Sequence, residues 1–218
     1  MPRRDPEPIP LAPTLEFELR HWQAGLRVVA GLDEAGRGAL AGPVAAAAVV
    51  LPAEAGVIER LAGVRDSKQM TARQRDEWAA VVRQVALAWG VGLASEAEIE
   101  SHNIIGATRL AMGRALEAVD LPVEYLLLDA LRLPAVSCPQ QPIVHGDARC
   151  LSIAAASVLA KTERDRIMVA LDRQFPGYGF ARHKGYATAL HRAALAELGP
   201  SPVHRRSFAP VRDWLAEE

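Results

Sequence analysis

Two adjacent acids, Asp33 and Glu34, close an apolar run and are followed at once by the turn Gly36-Arg37-Gly38. Two further acids, Asp129 and Asp147, stand at the ends of later apolar runs. Burying a carboxylate is costly unless it is paired or bound to metal. Neighbouring side chains on a strand point to opposite faces, so two acids in a row need a strand end where both can be reached. An all-oxygen site suits Mg²⁺ or Mn²⁺ and gives no support to zinc. Two such ions about 3.5–4 Å apart can activate a water and stabilise the leaving oxygen of a phosphodiester. Each acid taken singly also has a plainer reading as a cap or turn residue, and Asp147 would serve as the N-cap of the helix after it.

The elements that must position these acids can be read from pattern. Residues 28–50, VVAGLDEAGRGALAGPVAAAAVV, hold two buried-strand runs, with 44–51 an antiparallel neighbour of 28–32. Gly36 and Gly38 fit a tight turn whose backbone is open to a ligand. A helix over 15–24 leads into the first strand, and a loop carries Asp66-Ser67-Lys68. Thr71 with Gln74 is a capping box for a helix to about 85. A third strand follows over 87–93, then a short acidic helix capped by Ser95 and a longer one over 104–119, broken by Leu121-Pro122. Strands are expected over 124–128 and 142–145, and an alanine-rich helix over 151–171, stopped by Phe175-Pro176-Gly177. A last helix ends at Leu198 with Gly199 as its stop. This order predicts one mixed α/β sheet, whose strand carboxyl ends are where ligands gather.

Composition sets the outer bounds. Half of the 218 residues are hydrophobic, enough for a packed core, and no apolar run reaches the length of a membrane span. Basic and acidic residues number 25 and 26, so net charge neither argues for nucleic acid nor excludes it. Basic groups crowd the C-terminal third at His183, Lys184, His204, Arg205 and Arg206. Two cysteines are too few for a disulfide framework, and with no secretion signal in view a cytoplasmic protein is expected. Residues 1–14 read as a flexible proline-rich arm, and 15–218 as one catalytic domain.

Five separated blocks then share a resemblance. AGLDEAGRGALAGPVAAAAVVL, Asp66-Ser67-Lys68, YLLLDAL, HGDARCLSIAAASVLAKTERD and GYGFARHKGYATALH occur in the order found in ribonuclease HII, the type 2 ribonuclease H family. The resemblance covers residues 28–208. It implies a ribonuclease H-like α/β fold, a five-stranded mixed sheet flanked by helices. It also implies divalent-metal hydrolysis of RNA in RNA/DNA hybrids, with two ions of Mg²⁺ or Mn²⁺ when substrate is bound. Single ribonucleotides embedded in duplex DNA are included, cut on the 5′ side to leave a 3′-hydroxyl and a 5′-phosphate. A monomer is expected, with no membrane partner. The cousin with an added N-terminal domain, ribonuclease HIII, is disfavoured because the stretch before Val28 is short.

Carried over by motif, the catalytic metal ligands are Asp33, Glu34, Asp129 and Asp147. By the same resemblance Gly36, Arg37 and Gly38 read the ribonucleotide's 2′-hydroxyl, and Tyr186 stacks on the deoxyribose after it. Ser67, Lys68, Ser157, Lys161 and Lys184 are candidate substrate contacts. Plainer readings stand beside these: Arg37 as a salt bridge to a neighbouring acid, Tyr186 as a core ring, Lys68 as a solvated side chain, Ser157 and Lys161 as a helix-surface pair. Two departures are visible. Ala130 follows the third acid where the family usually has Gly, and His145-Gly146 precedes the fourth where Lys-Gly is common. A non-catalytic nucleic-acid-binding module, a junction resolvase and an integrase core are the rival readings on the same fold.

Overall fold

The structure, a computed structural model, describes residues 9–217. Its centre is a five-stranded sheet in the order β3-β2-β1-β4-β5, built from β1 (Val29–Ala35), β2 (Val44–Val50), β3 (Ala88–Ala94), β4 (Tyr125–Asp129) and β5 (Gln140–Ile143). β1 pairs antiparallel with β2 and parallel with β4, while β4 pairs parallel with β5. β2 is buried along its whole length, as a strand covered on both faces must be, and its Val/Ala run supplies the compact apolar surface.

Helices cover both faces. α1 (Glu16–Gln23), α3 (Ala72–Val85) and α6 (Leu151–Gln174) lie on one side, α4 (Glu96–Glu117) on the other. Between them fall the single turns α2 (Val57–Arg60) and α5 (Gly146–Arg149), and a 3₁₀ turn at Ser67–Gln69. α6 packs against β1 so closely that a Cβ on Gly31 would lie 2.3 Å from the Ser152 carbonyl carbon. That is why the buried stretch of α6 over 151–160, LSIAAASVLA, is rich in alanine and serine. Glu18 of α1 is buried and accepts from the Ser152 N–H at 2.7 Å, satisfying an orphan donor in the first turn of α6.

The capping boxes at Thr71/Gln74 and Ser95/Glu98 are both present. α4 breaks at Asn103 (φ 56°), whose Oδ1 accepts from the Ile105 and Gly106 N–H groups, so the short and the long helix expected there are both present. The last strand differs from expectation. It runs over Gln140–Ile143, not 142–145, because the backbone turns left-handed at His145. Pro142 is tolerated because β5 is a sheet edge. After α6 come α7 (Phe180–His183), α8 (Ala189–Leu198) and α9 (Ala209–Glu217), the last not anticipated. Residues 1–8 of the proline-rich arm lie outside the described residues. Its end is fastened, Thr14 pairing with Cys150 and its N–H donating to the Arg149 carbonyl at 3.1 Å.

Candidate active site

The parallel strands bring their carboxyl ends together. The register Leu32↔Leu128 places Asp33 and Asp129 side by side one residue further on. Asp147 arrives from α5, just beyond β5, and its elbow is pinned where the Gly146 N–H donates to Asp129 Oδ1 at 2.8 Å. Asp33 is 3% and Asp147 5% exposed. Strand parity turns Asp33 towards α6 and Glu34 to the opposite face.

Burial, then the charges of Glu34 and Asp129, push the Asp33 carboxyl well above the usual carboxylate range. Burial also raises Glu34 and Asp129, the former against the pull of Arg37, the latter against its bond from Gly146. Such mutual repulsion among buried oxygens is what a bound cation would relieve. Glu34 Oε2 is buried with no hydrogen-bond partner, an acceptor left over in the cluster. Among the described residues no three His, Cys, Asp or Glu side chains stand in a metal-holding arrangement. Two cations already lie against the acids: Lys68 Nζ donates to Asp147 Oδ2 at 2.9 Å, and Arg37 Nη1 to Glu34 Oε1 at 3.1 Å. Although desolvation works against it, the bond and charge of Asp147 lift the Lys68 ammonium above the ordinary lysine range. The donor set is all oxygen and fits a hard divalent ion.

Each remaining candidate has a definite place. Asp147 caps no helix, since α5 and α6 take His145 and Cys150 as N-caps. Ser157 is not on the helix surface: it is buried, and its hydroxyl acts on Asp33 by lowering that carboxyl against the effect of burial. Ser67, also buried, shares a hydrogen bond with the Ser157 hydroxyl at 2.7 Å. Lys161 is half-buried and ion-paired with Asp165 at 2.6 Å. Its ammonium and the Arg164 guanidinium each lie 5.5 Å from the Tyr186 ring centre. Tyr186 is half-buried, its backbone bridged to Ala39 just past the glycine turn. Lys184 takes a left-handed conformation (φ 54°) and turns its ammonium onto the Ala181 carbonyl. Gly36 (φ 93°) has no room for a side chain, because a Cβ would meet Arg164 Nε at 1.9 Å.

The C-terminal basic group is split by the fold, with Arg206 exposed and Lys184 half-buried. His183, His204 and Arg205 are buried. Sequence reasoning gave neither Arg164 nor Arg205 a place at the site. Their signal was misleading, since a charged side chain reads as surface unless the backbone it must satisfy is known.

Comparison with known proteins gives one consistent result. The family model described as Ribonuclease HII matches residues 30–211. Over 206 residues the chain is 56% identical to the Ribonuclease HII of Synechococcus sp. (strain JA-3-3Ab), covering 94% of this chain and 92% of the relative. Ribonuclease H2 from Pyrococcus horikoshii OT3 superposes with a TM-score of 0.72 at 25% identity, covering 87% of this chain and 97% of that one. Bst-RNase HIII in complex with Mn²⁺ shares the fold at 18% identity, with a TM-score of 0.65 over 87% of this chain and 69% of its own.

Proposed function

The chain belongs to the ribonuclease HII family, and from that membership we propose that it removes ribonucleotides from duplex DNA by metal-dependent hydrolysis, cutting 5′ of the ribonucleotide to leave a 3′-hydroxyl and a 5′-phosphate. As a family member it is an endoribonuclease that hydrolyses RNA in RNA/DNA hybrids. The observation that supports metal-dependent hydrolysis is the cluster of Asp33, Glu34 and Asp129, raised together by burial and mutual repulsion, with Glu34 Oε2 unpartnered beside them.

In this reading Asp33, Glu34, Asp129 and Asp147 would hold two Mg²⁺ or Mn²⁺ ions when substrate is bound. Divalent ions supply Lewis-acid activation of water and stabilisation of the leaving oxygen. The chain's own groups do the rest. The Ser67–Ser157 pair orients the Asp33 carboxylate. Lys68, bonded to Asp147 at 2.9 Å on a largely exposed side chain, meets a substrate phosphate beside the acids. The backbone of Gly36-Arg37-Gly38 meets the 2′-hydroxyl, the group that tells RNA from DNA. Tyr186, backed by Lys161 and Arg164, offers its ring to the next deoxyribose. Ribonucleotide repair and RNA primer removal are the roles this implies, in a cytoplasmic monomer.

Asp33→Asn tests the reading. It keeps side-chain volume and removes a charged ligand, so metal-dependent cleavage should fall at least 100-fold while duplex affinity stays within about threefold. Near-normal cleavage by that variant would overturn the assignment.

A further inference from the structure

Arg164 and Arg205 are the two largest fully buried side chains, each 0% exposed, and among the described residues neither has a carboxylate in salt-bridge contact. All their hydrogen bonds go to backbone carbonyls. Arg164 donates from Nε to Pro43 at 2.9 Å, from Nη2 to Ala41 at 3.0 Å and from Nη1 to Lys184 at 2.8 Å. Arg205 donates to Gly42 from Nε and Nη2, to Pro43 from Nη2, and from Nη1 to Arg37 at 2.9 Å. Two like charges buried side by side are a costly way to stabilise a fold, and apolar side chains of similar volume would serve as well or better. Burial, then the neighbouring Arg164, pulls the Arg205 guanidinium down to about 9.

What the two arginines gain is one particular backbone. Every carbonyl they take lies in residues 37–43, apart from that of Lys184, and 37–43 is the connection between β1 and β2 that carries the glycine turn. The same connection is zipped to the segment bearing Tyr186, with the Leu40 N–H donating to the Gly185 carbonyl at 2.7 Å. Arg164 touches both parts directly: its Nε fills the space behind Gly36, and its guanidinium lies 5.5 Å from the Tyr186 ring centre.

We propose that Arg164 is a positioning residue that fixes the glycine turn and the Tyr186 ring at one separation, so that preference for a ribonucleotide followed by a deoxyribonucleotide depends on this buried guanidinium. Arg205 seats the far side of the same turn through the Arg37 carbonyl. The inference rests on the reading of Gly36-Arg37-Gly38 and Tyr186 given above. Lysine cannot replace the fork: an ammonium is a compact point charge and does not span three carbonyls set around a plane.

The test compares kcat and KM of the full-length protein on two substrates, a DNA duplex with one ribonucleotide and a continuous RNA/DNA hybrid. Variants are Arg164→Lys, Gly36→Ala and Tyr186→Ala, each checked for folding by thermal unfolding. Arg164→Lys should lower the ratio of single-ribonucleotide to hybrid kcat/KM about tenfold, and Gly36→Ala, which pushes on the same guanidinium, should lower it too. A purely structural arginine would lower the melting temperature or both rates together. A wild-type ratio in folded Arg164→Lys therefore overturns the inference. Tyr186→Ala locates the failure: if it lowers the ratio while Arg164→Lys does not, only the role of Arg164 falls. If Tyr186→Ala leaves the ratio unchanged, the recognition reading falls and the inference with it.

Discussion

Ala130 and His145 take left-handed backbone (φ 54° and 55°) beside Asp129 and Gly146-Asp147, so the two departures from the family pattern sit where the chain bends sharply to present its acids. A left-handed alanine costs about 1–2 kcal/mol, and glycine would recover that less about 0.4–1 kcal/mol of added unfolded-chain entropy. Ala130→Gly should stabilise by about 0.5–1 kcal/mol and raise the melting temperature by about 1–4 °C. A lower melting temperature would mean that the bend carries no strain. At this scale the gathering of the four acids at one edge of the sheet was legible, since carboxylates ending apolar runs are conspicuous. Ser157 was not, because the sequence shows helical spacing but not which residues of the buried first half of α6 lie against the sheet.

At the scale of elements, the C-terminal segments are joined by imidazoles. His204 Nδ1 accepts from the Ser201 N–H at 2.9 Å, so its proton is on Nε2, which donates to His191 Nε2 at 3.0 Å. The His191 proton is then on Nδ1 and is donated to the Tyr186 carbonyl at 3.0 Å. Both rings must be neutral, and burial holds each down to about 4. Unfolded, each titrates near 6.5, so between about 4 and 6.5 the unfolded chain binds more protons than the fold. Stability from this chain is complete above 6.5 and is lost as pH falls. Moving from pH 7 to 5 should cost about 2 kcal/mol per ring, read from urea melts. A His191→Asn, His204→Asn double variant should show a shallower pH slope, and an unchanged slope would place the titration elsewhere. The capped helices were legible because their signals are local. α9 and the true edge of β5 were not: the first is held by packing such as Trp214 against Gly199, the second is cut short by the turn at His145.

Across the whole molecule, near-zero net charge hides its own arrangement. Arginines that composition assigns to the surface are spent inside on the 37–43 backbone, which leaves Lys68 and Arg37 as the cations bonded to the acids among the described residues. With few phosphate contacts to make, binding should weaken only modestly with salt, in proportion to the phosphates neutralised. No helix among the described residues is long and apolar enough to cross a membrane. The sheet order was not written in the local pattern, because pairing β1 with β4 joins segments nearly a hundred residues apart. The family resemblance supplied what periodicity could not.

The central claim is that recognition of one sugar and hydrolysis beside it occur in a single site. It is tested by a labelled DNA duplex carrying one ribonucleotide, incubated with the protein and Mg²⁺ or Mn²⁺, with an all-DNA duplex and EDTA as controls. The account predicts one metal-dependent cut on the 5′ side of the ribonucleotide and an intact all-DNA duplex. A duplex left whole in both metals, yet cut once the RNA tract is lengthened, would contradict it.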